Sequence, residues 1–369
     1  MNKILKTISN LPGWRSNRKI VVFESDDWGS IRMPSLETYK KLKEKGLDVF
    51  SGDALRYNQN DTLASAKDLS SLFESLIKFK DINGNHPVFT VVSIVANPNF
   101  EKIKENNYQN YFWEPFTDTL EKYNLADAFP LWEEGIRNKI FIPQFHGREH
   151  LNIAAWMRAL QRSDEETHIA FENGVWGYKN KHVFGLSYQA AFDLEHIEDL
   201  TIQEETIVSG LTLFEKIFGY KAQFFVPPNG PFNNSLEKIA FESGIQYMSV
   251  SKMQYEVLGE GKTRKKFHYL GQKNKHGQRY ITRNCFFEPS QPEKDWVASC
   301  LNDIELAFKW KKPAIISSHR VNYIGALNSK NRDLGLKSLE ELLTKIISKW
   351  PEVEFMTSNE LGDVMSSKI

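Results

Sequence analysis

The stretch Val21-Val22-Phe23-Glu24-Ser25-Asp26-Asp27-Trp28-Gly29 decides how this chain is read. An apolar run rich in β-branched residues stops at two adjacent carboxylates, as a buried strand does when its carboxyl end opens on a site. Three more runs stop the same way: IFIPQF (140–145) before His146, AQFFV (222–226) before Pro227-Pro228-Asn229-Gly230, and AIISS (314–318) before His319. In barrels and sheets of parallel strands, residues far apart in sequence meet just past the strand ends. An acidic pair, an H-x-x-x-H and a lone histidine arriving there together point to a hydrolase that uses a bound metal.

Outward from these runs the chain alternates strand and helix. Strands are predicted over 19–25, 87–96, 139–145, 223–226, 246–250, 314–317 and 353–356. Helices are predicted from 36, from 150, over 201–218, 234–243, 296–310 and 334–350, and from 358. Repeated strand-helix units argue for one α/β barrel-like domain of parallel strands over 1–369, with a core of about 19–365. The stretches 46–86, 163–200 and 252–288 are longer than compact units need and read as elaborations. The last is expected to hold an inserted β-hairpin over 267–288, turning at His276-Gly277.

Composition narrows the function classes. Lys plus Arg equals Asp plus Glu at 47 each, so no basic excess exists to hold a nucleic-acid backbone or an anionic membrane. The longest apolar stretch, VFTVVSIVA, is about half the roughly 20 residues of a membrane-spanning helix. The amino-terminal segment has no unbroken apolar run of the secretory kind, so a cytoplasmic location is expected. Cys285 and Cys300 are too few for a disulfide framework. Nine Trp make either core packing or a groove that stacks sugar rings, with Trp28 beside the acidic pair a candidate for the latter.

Asp26 and Asp27 repel each other unless a cation or hydrogen bonds neutralise them; a turn or helix-capping pair is the plainer reading. His146 and His150 are four apart, so on a helical turn both rings can hold one ion. Two imidazoles and one carboxylate leave coordination positions open for water and substrate, and suit zinc better than calcium or magnesium. His146-Gly147-Arg148-Glu149-His150 also fits H-x-x-E-H, the inverted zinc-peptidase pattern with Glu149 as base, although Pro143 and Gly147 disfavour the long helix that motif needs. His319 is placed to give or take a proton. Pro227-Pro228-Asn229-Gly230 is a rigid turn able to aim the Asn229 N–H at an oxyanion, or simply a strand-to-helix turn. The remaining histidines lack partner spacing and read as surface or packing residues.

The order of these motifs, from about residue 19 to 365, resembles the polysaccharide deacetylase family with its NodB-type distorted (β/α) barrel. The resemblance implies that Asp26 is the base, that Asp27, His146 and His150 bind a divalent metal, and that His319 is the acid. It further implies removal of an N- or O-linked acetyl group from a sugar or glycan. Two departures accompany it. Val226 stands where the family turn carries an Arg that pairs with the catalytic Asp, and the family's fourth, Asp-rich motif is not recognisable in Ser249-Val250-Ser251-Lys252. Arg148 and Arg320 are the expected substitutes for the missing Arg. A non-catalytic glycan-binding barrel is the rival from another class.

Overall fold

The computed structural model describes residues 10–367. Strands β1 (Lys19–Trp28), β2 (Phe89–Ile94), β3 (Phe141–Gly147), β4 (Phe224–Phe225), β5 (Tyr247–Ser249) and β6 (Arg279–Ile281) lie side by side in chain order. Strands β7 (Cys285–Phe286) and β8 (Ala314–His319) return to the far side of β1, and β9 (Val353–Phe355) pairs with the start of β1. Every pairing in this sheet is parallel, and helices connect most successive strands. Sequential order closing back on β1 is the topology of a (β/α) barrel. The ring is distorted, because β6 and β7 pair outward to β5 and β8 and not to each other.

Side-chain parity explains how the strands divide their burial. Along β1, Ile20 and Val22 join a cluster with Val92, Ile281 and Ile315 that fills the barrel, while Val21 and Phe23 join the layer under the outer helices. The period of two then sends Glu24 and Asp26 inward and Ser25 outward. On β8 the same rule turns Ile315, Ser317 and His319 inward. The last helix, Ser358–Ser366, adds Leu361 and Met365 to the interior cluster and donates from Ser358 Oγ to Glu24 at 2.8 Å.

Two corrections concern the elements. The antiparallel ribbon is formed by Met253–Val257 and Thr263–Phe267, upstream of the hairpin expected over 267–288. A tight turn does sit at Asn274–Gly277, with one antiparallel bridge from Lys273 to Arg279, but the chain then enters the barrel as β6 and β7. Alternating runs fit a hairpin and a half-buried barrel strand equally well, and the parallel partners are too distant in sequence to be read. No helix among the described residues is long and apolar enough to cross a membrane.

Candidate metal centre and active site

Two β-bulges build the centre of the site. Between Ser25 and Trp28 the β1–β2 register shifts, and Asp27 takes φ 76°, a left-handed conformation that costs a non-glycine residue about 1–2 kcal/mol. Strict alternation would send Asp27 outward; the bulge turns it into the mouth beside Asp26. On β3 the register slips between Ser93 and Ile94, with Gly147 at φ 148°, and His146 is the extra residue.

Asp27 Oδ1 consequently lies 3.4 Å from His146 Nε2 and 3.2 Å from His150 Nε2. One donor atom from each residue lies within 4.8 Å of the others, and among the described residues this is the one such trio of His, Cys or acidic groups. All three side chains are buried. His146 Nδ1 faces the Val226 carbonyl at 2.6 Å and must donate to it, which leaves the Nε2 lone pair of a neutral ring aimed at a carboxylate oxygen. Two electron-rich atoms held face to face need a cation or a proton between them, so the donor set fits a metal. Burial, outweighing Asp27, pushes the His150 pKa down and keeps that ring neutral and able to ligate. Burial also opposes the charge of Asp27, yet its contacts to His146 and His150 hold the carboxyl well below its usual range. The two histidines reach the centre from a strand end and the loop beyond it, not from a helical turn; the helix begins only at Ile153, capped by Asn152.

Beside the trio stand two oriented pairs. Arg283, in the three residues between β6 and β7, donates from Nη1 and Nη2 to the two oxygens of Asp26, both at 2.6 Å, and from Nε to Glu24 at 2.6 Å. Burial raises the Asp26 pKa, but the Arg283 guanidinium more than offsets it and the carboxyl stays ionised. Glu24 is pushed the other way, because its burial outweighs the help of Arg283 and Ser358. His319, the register neighbour of Asp26, places Nε2 3.9 Å from Asp26 Oδ2 and binds Glu288 Oε1 through Nδ1 at 2.6 Å. Burial opposes the imidazolium, yet Glu288, Asp27 and Asp26 lift the His319 pKa to about 9. Glu288 is itself fixed by Arg56 Nη1 at 2.7 Å and Asn322 Nδ2 at 2.9 Å.

Several expected assignments are corrected here. Trp28 is 1% exposed, packs edge-on against Phe141 and Trp132, and donates to Ser25 Oγ, so it is core and lines no sugar groove. Arg148 binds Glu149 at 2.6 Å and Ser209 at 2.8 Å, and Arg320 is spent on Asp61 at 2.9 Å and the Ser30 carbonyl. Neither pairs with Asp26; Arg283 does. Glu149 is buried against Arg148 in a non-helical segment, which removes the geometry of an inverted zinc-peptidase helix. Asn229 keeps its expected place in the turn after β4, exposed at φ 55°, and the Val226 carbonyl of that turn orients His146. The orienting acid of His319 is Glu288, two residues beyond β7.

Arg283, Glu288, Arg56 and Tyr57, whose ring stands edge-on to His319 at 5.8 Å between centroids, were not singled out by sequence reasoning. A signal existed for the first two: Thr282-Arg283-Asn284 interrupts an otherwise apolar strand, and Glu288 ends it as Asp26 ends β1. Arg56 and Tyr57 lie on a helix, Ala54–Asn60, inside an elaboration, with no local pattern to mark them. The 163–200 elaboration likewise reaches the site, since Trp176 Nε1 donates to the His150 carbonyl at 2.8 Å.

No family model and no curated protein matches the chain. Solved structures do. One is a 4-alpha-glucanotransferase from Thermococcus litoralis, 13% identical, with a TM-score of 0.47 over 95% of this chain and 40% of that one. Two are described as polysaccharide deacetylases. The one from Pseudomonas aeruginosa PAO1 is 9% identical, with a TM-score of 0.46 over 94% and 91% of the two chains. The one from Mycobacterium smegmatis is 10% identical, with a TM-score of 0.41 over 96% and 93%. The chain spans well under half of the glucanotransferase. Solved structures similar to this chain thus include polysaccharide deacetylases.

Proposed function

We propose that the protein is a metal-dependent hydrolase that removes an acetyl group, N- or O-linked, from a sugar or glycan. The observation that carries this reading is the meeting of Asp27, His146 and His150 with an arginine-held Asp26 and a glutamate-held His319 at one barrel mouth. Asp27, His146 and His150 would hold a divalent ion, and their nitrogen and carboxylate donors suit zinc. Such an ion, when bound, polarises a carbonyl and lowers the pKa of water toward neutrality.

The chain's own residues supply the rest. Asp26, kept ionised by Arg283, takes a proton from the attacking water as the new carbon–oxygen bond forms. The Asn229 backbone N–H is the candidate donor to the oxyanion. His319, kept protonated by Glu288, gives its proton to the leaving nitrogen or oxygen as the old bond breaks. The products are acetate and a free amine or hydroxyl, and proton exchange with solvent then takes the proton from Asp26 and returns one to His319.

The test is acetate release from acetylated chito-oligosaccharides and from an O-acetylated glycan panel, with zinc and after chelation. Release that stops with chelator and returns with metal supports the reading. Sugar binding with no acetate released under any metal would replace it with a glycan-binding module.

A further inference from the structure

One cation of this site makes no salt bridge among the described residues. Glu24 and Asp26 share Arg283, Glu288 has Arg56 and His319, and Asp61 has Arg320. Arg32, four residues beyond β1, takes part in none of the ion pairs found among the described residues. Its Nε is buried and has no hydrogen-bond acceptor. The guanidinium carbon rests 4.7 Å from the centre of the Tyr57 ring, which also carries Arg56 at 4.4 Å. Arg32 lines the same small cavity as Asp27, Asp61, His150, Trp176 and Gln189, and the Asp61 carboxylate, which feels its charge, gives both oxygens to Arg320.

Leaving a partly buried guanidinium unpaired is unfavourable unless a ligand completes it. The stacking on Tyr57 fixes the orientation of Arg32 without using its N–H groups, and a planar fork held ready in this way matches a carboxylate or phosphate. A second donor converges on the same spot. A Cβ at Gly177 would stand 2.9 Å from Gln189 Nε2 and 3.4 Å from Arg32 Nε, so the glycine is what lets these two side chains close in side by side. Gly177 and Gln189 both belong to the 163–200 elaboration, which gives that segment a role in selectivity.

We propose that Arg32, assisted by the Gln189 amide, receives an acidic group on the acylated substrate, a carboxylate or a phosphate. The ligand is placed beside the metal ligands on the hydrolase reading above, but the anion site is measured by binding and not by turnover.

The experiment is calorimetric titration of the zinc-loaded protein with four probes: N-acetylglucosamine, its 1-phosphate, its 6-phosphate and N-acetylglucosaminuronic acid. The expected result is that at least one acidic probe binds about 10- to 100-fold more tightly than the neutral sugar. The phosphate and carboxylate arms show which source is used. Arg32→Gln, with its metal content verified, should lower the favoured probe to the affinity of the neutral one, and Arg32→Lys should keep part of the preference. Equal binding of all four probes by the native protein overturns the proposal, as does an acidic preference that survives Arg32→Gln. Acid-selective binding without acetate release would keep the anion site and discard the hydrolase reading; acetate release with no acidic preference would do the reverse.

Discussion

Replacing Glu288 by Gln should move the alkaline limit of activity while leaving metal binding intact. The substitution keeps the shape of the side chain and an oxygen able to accept from His319 Nδ1, now 2.6 Å away, but removes the charge. Burial works against the His319 imidazolium, and Glu288 is the largest of the charges that overcome it and lift the pKa to about 9. Against an ordinary value of about 6.5, that lift corresponds to roughly 3 kcal/mol favouring the protonated ring. The His319 side chain is 28% exposed, so solvent screens part of it, and about 2 kcal/mol is a fair figure for the variant's loss. The alkaline limb of kcat/KM on an N-acetyl substrate should then fall by roughly 1.5 pH units, with about a fourfold loss near pH 8, more than about tenfold near pH 9 and little near pH 6. The sign for stability follows from linkage. A raised histidine pKa contributes stability that is full below the unfolded value of about 6.5 and is lost as pH rises through the folded value. The Tm gap between native protein and variant should therefore be widest near pH 6 and narrow above about 9. A pH–rate profile with a parallel melting series is the assay. A uniform loss of rate with an unmoved alkaline limb would refute the role of Glu288, and an equal loss on an activated ester, whose leaving group needs no proton, would refute that of His319.

Asp26→Asn should keep stoichiometric metal and lose about 10²- to 10⁴-fold in acetate release, whereas Glu149→Gln should be mild; the reverse ranking would restore the inverted-peptidase assignment. Arg283→Met leaves Glu24 and Asp26 buried without their cation and should cost about 3–5 kcal/mol in denaturant unfolding, so an unfolding midpoint equal to the native one would count against the shared ion pair. His150→Ala should abolish tight metal binding in an elemental assay while His319→Ala retains it, and loss of metal in the latter would make His319 a ligand.

Much of this fold was legible because four buried strands end in chemistry. The runs before Asp26, His146, Pro227 and His319 are barrel strands β1, β3, β4 and β8, and their order in the ring follows the sequence. The convergence of Asp27, His146 and His150 was also foreseeable, but not the means. Helical spacing suggested a shared face, while the structure uses a bulged strand end and a loop, because backbone at φ 76° and a slipped register leave no periodic trace. What failed at Trp28, Arg148 and Arg320 has one cause. Proximity in sequence to a site residue does not give access to the site where a bulge or a loop resets which face a side chain takes. The bulge after Ser25 reverses the parity of Trp28 and sends it to the outer core with Val21 and Phe23, and the two arginines serve Glu149 and Asp61.

The arginine that holds Asp26 comes from the seam between β6 and β7, and the reason such a position serves is general. A carboxylate at the barrel mouth requires a cation above it, and Coulomb's law does not ask which strand delivers the charge. A turn after β4 could reach Asp26 from one side; the seam between β6 and β7 reaches it from the other, next to β8. Here the seam does so, and the turn opens on an apolar Val226 whose carbonyl orients His146. The same holds for the acid: Glu288 at the end of β7 orients His319 on the adjacent strand. Both replacements come from the segment 279–288, read at first as an inserted hairpin, which is the stretch where the ring fails to close. An open seam frees strand ends from pairing, and their side chains can then turn inward on the site.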